Sequence, residues 1–262
     1  MVPTTDVENG SPLSVAEFYD ALAPDYDTMT GFQKRFVHEK PFFRLLVEKY
    51  EIKTAVDAGC GTGFHSLLLA QLGVEVTAVD VSSAMIGEVK KHAKSLNLRV
   101  GAVQTDFGDL KKVLKSKFDA VFVMGNSIAH VLSEQELRSS FGNFASILKP
   151  HGILFLQNLN YDRILDGKER IQSVKEAGDK TFVRFYDYSG NLLTFNILTI
   201  EGKGDMVHQK MQSVRLNPVR SVDMSALVSG SGFTGIQLFG SIALEEYDPQ
   251  SSKDLVVLAR MK

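Results

Sequence analysis

Cysteine is almost missing from this chain of 262 residues: Cys60 stands alone. That excludes a disulfide framework and a thiolate metal cluster. The six histidines show no H-E-x-x-H run or other close ligand spacing, so no metal is expected. Charge of one sign is missing too. Lysine and arginine total 29 against 31 acids, a net charge of −2 with the signs interspersed. Such a balance argues against nucleic-acid or anionic-membrane partners, and no N-P-P-Y signature of base flipping is present. No apolar run approaches the ~20 residues of a membrane span, and the start MVPTTDVENGSP lacks the apolar core of a secretory signal. A soluble cytoplasmic protein is therefore expected. At this length roughly three quarters of the unfolded surface is buried on folding, enough for one large domain or one domain with an insertion. Internal repeats and low-complexity stretches are absent as well.

What is there begins with residues 55–80, AVDAGCGTGFHSLLLAQLGVEVTAVD. Ala55 and Val56, with Ile52 before them, suit a buried strand; Leu67, Leu68, Leu69 and Leu72 suit a helix packed on a sheet. Between them Gly59, Gly61 and Gly63 permit a sharp turn with no side chain to obstruct a ligand. Asp80 ends the next strand, where a carboxylate can accept both hydroxyls of a ribose. A nucleoside-containing cofactor is thus expected across this edge.

The glycine spacing selects among nucleosides. A dinucleotide fingerprint needs G-x-G-x-x-G, and Phe64 sits where its third glycine should be. Asp57, two residues before the turn, suits a cationic amino group better than a pyrophosphate. S-adenosylmethionine carries an ammonium, a sulfonium and a ribose, and no phosphate. The stretch resembles motif I of the class I S-adenosylmethionine-dependent methyltransferases, with Asp80 as the acid of motif II. Cys60, inside the turn, reads as a small packed residue.

Along the rest of the chain, residues 1–12 read as a mobile terminus. From Ser14, VAEFYDALAPDYD reads as a short helix broken by Pro24, and Phe32 to Tyr50 as a helix with a kink or boundary at Pro41. SSAMIGEVKKHAKSL is a helix capped by Ser82 or Ser83. LRVGAVQTD, FDAVFVMGN and HGILFLQNL are the third, fourth and fifth strands; a helix capped by Ser133 and closed by Pro150 joins the last two. This rhythm specifies an α/β, Rossmann-like, doubly wound sheet of seven strands, the last antiparallel. From about Asp179, three antiparallel strands with turns at Ser189–Asn191 and Glu201–Asp205 form a lid inserted after strand five. A helix over 222–231 and strands FTGIQLFG and KDLVVLARMK follow. The expected boundaries are a core of 13–160 and 220–262 and a lid of 161–219.

Asp57, Asp80, Asp106 and Asn126 fall at strand carboxyl ends, where such sheets bind ligands. Asp106 suits either the adenine amino group or a helix N-terminus, two compatible roles, and Phe107 would cover the adenine ring. MGNSIAH, residues 124–130, puts an Asn and a His in the same cleft. Here the chain resembles the glycine N-methyltransferase and glycine/sarcosine N-methyltransferase family, which carries G-N-S-x-A-H at this place. NYDRIL, residues 160–165, matches that family's N-Y-D-x-I-L. Arg35, twenty-two residues before Asp57, matches the arginine that holds the cofactor's carboxylate. FYDALAPDYD resembles the arm that covers the cofactor with aromatics. The resemblance runs from about residue 15 to the C-terminus, specific over strands one to five and weak in the lid.

The resemblance implies S-adenosylmethionine as cofactor, S-adenosylhomocysteine as product, and in-line methyl transfer to the neutral amine of glycine or sarcosine, toward dimethylglycine and betaine. It assigns Tyr19, Tyr26, Arg35, Asp57, Gly59, Gly61, Asp80, Met85, Asp106, Phe107 and Met124 to the cofactor. It assigns Tyr26, Asn126, His130 and Tyr161 to the substrate, Asn126 being the catalytic residue, and the strand period below adds Arg184 as a candidate. One departure stands out: the family's arginine before N-Y-D, which grips the substrate carboxylate, is here Leu159. Arg184 is the replacement, since a period of two puts Phe182, Arg184, Tyr186 and Tyr188 on one strand face; a solvated lid charge is the other reading. For His130 a supporting or helix-capping role stands beside substrate contact, and for Tyr161 packing of the lid against the sheet does. A methyltransferase for another small amine or a hydroxyl metabolite, and a cofactor-binding protein without catalysis, are the rival functions.

Overall fold

The structure is a computed structural model and describes residues 11–203 and 206–262. The seven-stranded sheet forms as expected. Its strands are β1 (Thr54–Ala58), β2 (Glu75–Asp80), β3 (Val100–Gln104), β4 (Phe118–Val123), β5 (Leu148–Leu159), β10 (Phe233–Phe239) and β11 (Asp254–Met261), in the order β10-β11-β5-β4-β1-β2-β3. β1 pairs in parallel with β2 and β4, and β11 runs antiparallel to β5. The pleat sends neighbouring side chains to opposite faces. Val56, Val121 and Leu154 enter one core with Phe141 and Phe144 of helix α6 (Glu134–Ile147). Ala55, Phe122 and Phe155 enter another with Phe43 of α2 (Phe32–Lys49) and Leu68 of α3 (Phe64–Gln71). Both faces are covered, so these strands read as continuous apolar runs.

A second sheet, antiparallel throughout, holds β6 (Ile171–Ala177), β7 (Lys180–Ser189), β8 (Leu192–Lys203) and β9 (Met206–Leu216) in that order. It has one strand more than the sequence reading. β6, IQSVKEA, is a sheet edge with exposed Ile171 and Val174, and so lacks a clean alternation of buried and polar positions. The turn expected over Glu201–Asp205 is shorter than read, because β8 continues through Lys203; Gly204 and Asp205 lie outside the described residues. The mobile terminus expected over 1–12 falls largely on residues 1–10, also outside them.

The expectations at Pro24 and Pro150 are corrected, and at Pro41 the boundary is ruled out. Helix α1 (Val15–Thr30) continues through Pro24, and α2 continues through Pro41. A proline inside a helix costs roughly 3 kcal/mol; in α1 the contacts below anchor both halves. Pro150 does not close α6, which ends at Ile147, and lies instead within the first residues of β5. The caps behave as read: Ser133 forms a capping box with Glu136, and Ser82 caps α4 (Ser83–Ser95).

Helix α1 is what places a site at the strand ends. Ser14 and Glu17 close a capping box at its start. Asp20 accepts from Ser82 Oγ at 2.5 Å and from the Ala84 N–H at 3.0 Å, capping α4 from outside. Asp27 accepts from Thr62 Oγ1 at 2.5 Å and pairs with His92 at 3.1 Å. On its other side Asp25 pairs with Lys180 of β7 at 2.7 Å. Phe18, Leu22 and Met29 pack with Phe182, Ile197 and Val214 of the second sheet. The helix is thus fastened to both sheets and roofs the space between them. No helix among the described residues is long and apolar enough to cross a membrane.

Candidate active site

Two cavities meet beneath α1. The larger, about 440 Å³, runs along the carboxyl ends of β1 to β4, within the ~300–1,000 Å³ of small-molecule sites. The smaller, about 160 Å³, lies between α1, the ends of β4 and β5, and the second sheet. Tyr19, Tyr26, Thr30, Gly125 and His130 line both.

The floor of the larger cavity is the glycine turn. Gly59 and Gly61 have φ of 75° and 55°, and a Cβ on Gly59 would lie 2.6 Å from Ser127. A side chain there would need both a rare backbone conformation and space already taken. A Cβ on Gly61 would stand 3.4 Å from the ring of Tyr26, so the arm closes directly over the turn. Asp80 accepts from the Gly61 N–H and the Ser82 N–H, both at 2.9 Å. Burial pushes its carboxyl up, and these backbone donors oppose the shift. Two of its lone-pair positions remain for a ligand's hydroxyls. Asp106 accepts from the Asp109 N–H at 2.9 Å through one oxygen, so the turn-capping role holds and the other oxygen is left over. Phe107 stands edge-on to Phe144 at the same end.

At the opposite end Arg35 lies over the ring of Phe64, 4.1 Å from its centroid. Phe64, which departs from the dinucleotide pattern, is thus a platform for a cation. Glu39 pairs with Arg35 at 2.7 Å and with His65 at 3.1 Å. Burial opposes ionisation of Glu39, but the hydrogen bonds from His65 and Arg35 outweigh it and hold the carboxyl low. Glu39 and His65 were not singled out in the sequence. The i,i+4 spacing of Arg35 and Glu39 on one helix was the available signal; His65 offered none.

Two residues assigned to the cofactor are not at the wall. Asp57 is fully buried beneath the glycine turn, accepts from Ser66 Oγ at 2.6 Å, and leaves Oδ1 without a partner. Burial raises its carboxyl above the ordinary value. Met85, in the first turn of α4, is fully buried and lines neither cavity. Tyr19, Tyr26, Arg35, Gly59, Gly61, Asp80, Asp106, Phe107 and Met124 all line the larger cavity.

In the smaller chamber Asn126 adopts φ 69°, a left-handed conformation that Asn tolerates. Its Oδ1 accepts from the Leu159 N–H at 3.1 Å and its Nδ2 donates to Tyr161 Oη at 2.9 Å. Tyr161 does not line the chamber; it acts through Asn126. The rest of N-Y-D is structural. Asn160 donates to the carbonyls of Pro249 and Ser252 and caps α7 (Tyr161–Asp166), while Asp162 accepts from the Ser221 N–H at the start of α8 (Ser221–Gly230). His130, at the end of a short 3₁₀ turn over Ser127–His130, shares a hydrogen bond with Tyr19 at 2.8 Å; its Nδ1 is buried without a partner. Burial pushes its imidazole down to about 4, so the ring is neutral at pH 7.

Arg184 lines the chamber from β7, with Phe182 and Tyr186 buried on the same face, as the period of two requires. Its Nε donates to Ser173 Oγ at 2.7 Å, and it forms no ion pair among the described residues. Burial lowers its guanidinium from the ordinary value.

The larger cavity fits S-adenosylmethionine by the chemistry of its wall. Among the described residues Arg35 is the one arginine or lysine lining it, at one end, while Asp80, Asp106 and Glu136 line the rest. A ligand with one carboxylate and an otherwise cationic or hydroxyl-bearing body matches that distribution, and a pyrophosphate does not.

Known proteins agree. A family model for a methyltransferase domain matches residues 55–152. The chain is 28% identical over 225 residues to the glycine/sarcosine N-methyltransferase of Aphanothece halophytica, covering 86% of this chain and 82% of that one. It is 29% identical over 225 residues to a cypemycin N-terminal methyltransferase of Streptomyces, covering 79% and 83%. An S-adenosylmethionine-dependent methyltransferase structure from Clostridium acetobutylicum superposes with a TM-score of 0.79 at 15% identity, over 93% of this chain and 98% of that one. The sheet is that of the class I S-adenosylmethionine-dependent methyltransferases, residues 55–152 match a methyltransferase domain, and over most of its length the chain is similar to N-methyltransferases.

Proposed function

We propose that this enzyme N-methylates the amine of a small amino acid, glycine or sarcosine in the first instance, on the route to dimethylglycine and betaine. The observation that carries the reading is Arg184: a guanidinium without an ion pair among the described residues, in a chamber that shares five wall residues with the cofactor cavity. An arginine holds a carboxylate through two parallel hydrogen bonds. With the carboxylate there, the amine of the same molecule is directed toward the shared wall. The similarity to the glycine/sarcosine enzyme supports the same substrate class.

S-adenosylmethionine, once bound, supplies a methyl group on a positively charged sulfur; its transfer to nitrogen leaves the thioether S-adenosylhomocysteine, and the amine's proton goes to solvent. Asp80 would hold the ribose, Asp106 and Phe107 the adenine, and Arg35, steadied by Glu39 and His65, the carboxylate. Tyr19 and Tyr26 would cover the cofactor from α1 and exclude water. The second lone pair of Asn126 Oδ1 is left to accept from the substrate N–H, with Tyr161 fixing the amide's orientation. Positioning of this kind contributes on the order of 7–11 kcal/mol in well-oriented systems.

The chamber holds no strong base. His130 is too weak an acceptor, and burial raises the phenols of Tyr19, Tyr26 and Tyr186, which stay protonated. An amine of pKa about 10 must therefore arrive neutral, at a cost of about 4 kcal/mol at pH 7. Acceptor kcat/KM should rise about tenfold per pH unit from pH 7 to 9. The direct test is mass spectrometry of products from glycine, sarcosine and dimethylglycine incubated with S-adenosylmethionine. Singly or multiply methylated amino acids support the reading; S-adenosylmethionine left unconsumed with all three overturns it.

A further inference from the structure

The acceptor chamber is more apolar than glycine requires. Phe18, Leu22, Leu159, Phe195, Ile197 and Leu216 line it, against the single cation Arg184. Leu159 is held in place by its N–H bond to Asn126 and packs with the cluster around Tyr161, Ile164 and Tyr186. Its side chain therefore gives the end of β5 an apolar face. The polar groups at the wall are largely committed. Gln157 accepts from the Gly125 N–H, and both ends of the Asn126 amide are bonded. The Tyr186 hydroxyl, beside Arg184, is buried without a partner.

Size points the same way. The chamber, about 160 Å³, has room beside the amine and carboxylate for a side chain that glycine does not supply. Apolar wall left uncovered by a ligand forgoes the contacts and the desolvation that covering it would bring.

We infer that the preferred acceptor is an α-amino acid, or its N-methyl derivative, carrying an apolar side chain of alanine to leucine size. Arg184 takes the carboxylate and gives the Tyr186 hydroxyl an acceptor nearby. The wall of Phe18, Leu159, Ile197 and Leu216 takes the side chain, and the amine faces the shared wall at Asn126 and His130. Glycine and sarcosine are the smallest members of this class and fill it least. The inference rests on the reading that the chamber binds an amino-acid amine, and it names which one.

Calorimetry of the wild-type complex with S-adenosylhomocysteine, titrated with glycine, sarcosine, L-alanine, L-valine, L-leucine and isobutylamine, tests it without turnover. Initial rates with S-adenosylmethionine on the same panel accompany it. L-valine or L-leucine should bind at least about tenfold more tightly than glycine, the least that one or more buried methylenes contribute, and isobutylamine should not bind. Glycine or sarcosine binding as tightly as L-valine, with methylation of either, overturns the inference and leaves the N-methylation reading standing. Isobutylamine binding as well as L-valine overturns the carboxylate's part in it. Methylation of no panel member, with S-adenosylhomocysteine still bound, overturns both.

Discussion

The cofactor cavity and the acceptor chamber share a wall and are built on different principles. The first takes its groups from consecutive strand ends, and its acids are aligned by backbone N–H donors: Gly61 and Ser82 on Asp80, Asp109 on Asp106. The second is assembled from segments far apart in sequence: α1, the ends of β4 and β5, and strands β6 to β9. Its one cation is steadied by a serine on the neighbouring strand β6. Backbone-aligned groups on a buried parallel sheet keep their positions when the substrate changes. Groups on an inserted sheet can vary without disturbing the cofactor, which makes the chamber the place where specificity is set.

Substitutions can break or sharpen that contrast. The largest effect is expected at Asp80. Asp80→Ala should weaken S-adenosylhomocysteine binding about 100-fold or more, since two charge-assisted hydrogen bonds contribute roughly 1.5–3 kcal/mol each. Arg184→Ala should raise the acceptor KM roughly 30- to 150-fold, or about 2–3 kcal/mol for a paired carboxylate. Steady-state kinetics at saturating S-adenosylmethionine would read it, with cofactor KM unchanged.

Next is the junction between the two spaces. His130 binds a proton at 6.5 when unfolded and at about 4 when folded. The unfolded state thus binds more protons as pH falls below 6.5, and stability is lost down to about pH 4. Between pH 7 and 5 this amounts to on the order of 2 kcal/mol. Urea denaturation of His130→Gln should show that much less pH dependence than the wild type; identical slopes would count against a neutral buried ring. The smallest effect is at Tyr161. Tyr161→Phe removes one neutral hydrogen bond to Asn126, about 1 kcal/mol, and should lower kcat roughly fivefold with cofactor affinity unchanged. This variant probes the Asn126 amide more cleanly than Asn126→Ala, which would force alanine into positive φ.

The same contrast explains how much could be read from the chain. The strands of the large sheet and most of the cofactor wall follow from local signals: glycines at fixed offsets, acids at strand ends, apolar periods. Asp57 was misplaced because a strand position does not reveal depth. β1 is central, paired on both sides, and the turn and Ser66 cover the carboxylate. Pro24 was misjudged because the contacts that anchor α1 on both sides of it come from α4, Thr62 and β7. The N-Y-D run was legible as a motif, while its division into two structural clamps and one support for Asn126 depends on α8 and the loop near Ser252. Arg184 was found by strand period alone; the apolar chamber around it was not, since its walls come from elements spread from α1 to β9.

Titration of S-adenosylhomocysteine into Arg184→Ala and Asp80→Ala, side by side in one calorimeter, tests the division most directly. The account predicts wild-type affinity in the first and affinity weakened about 100-fold or more in the second. Affinity lost in Arg184→Ala, or kept in Asp80→Ala, would contradict it.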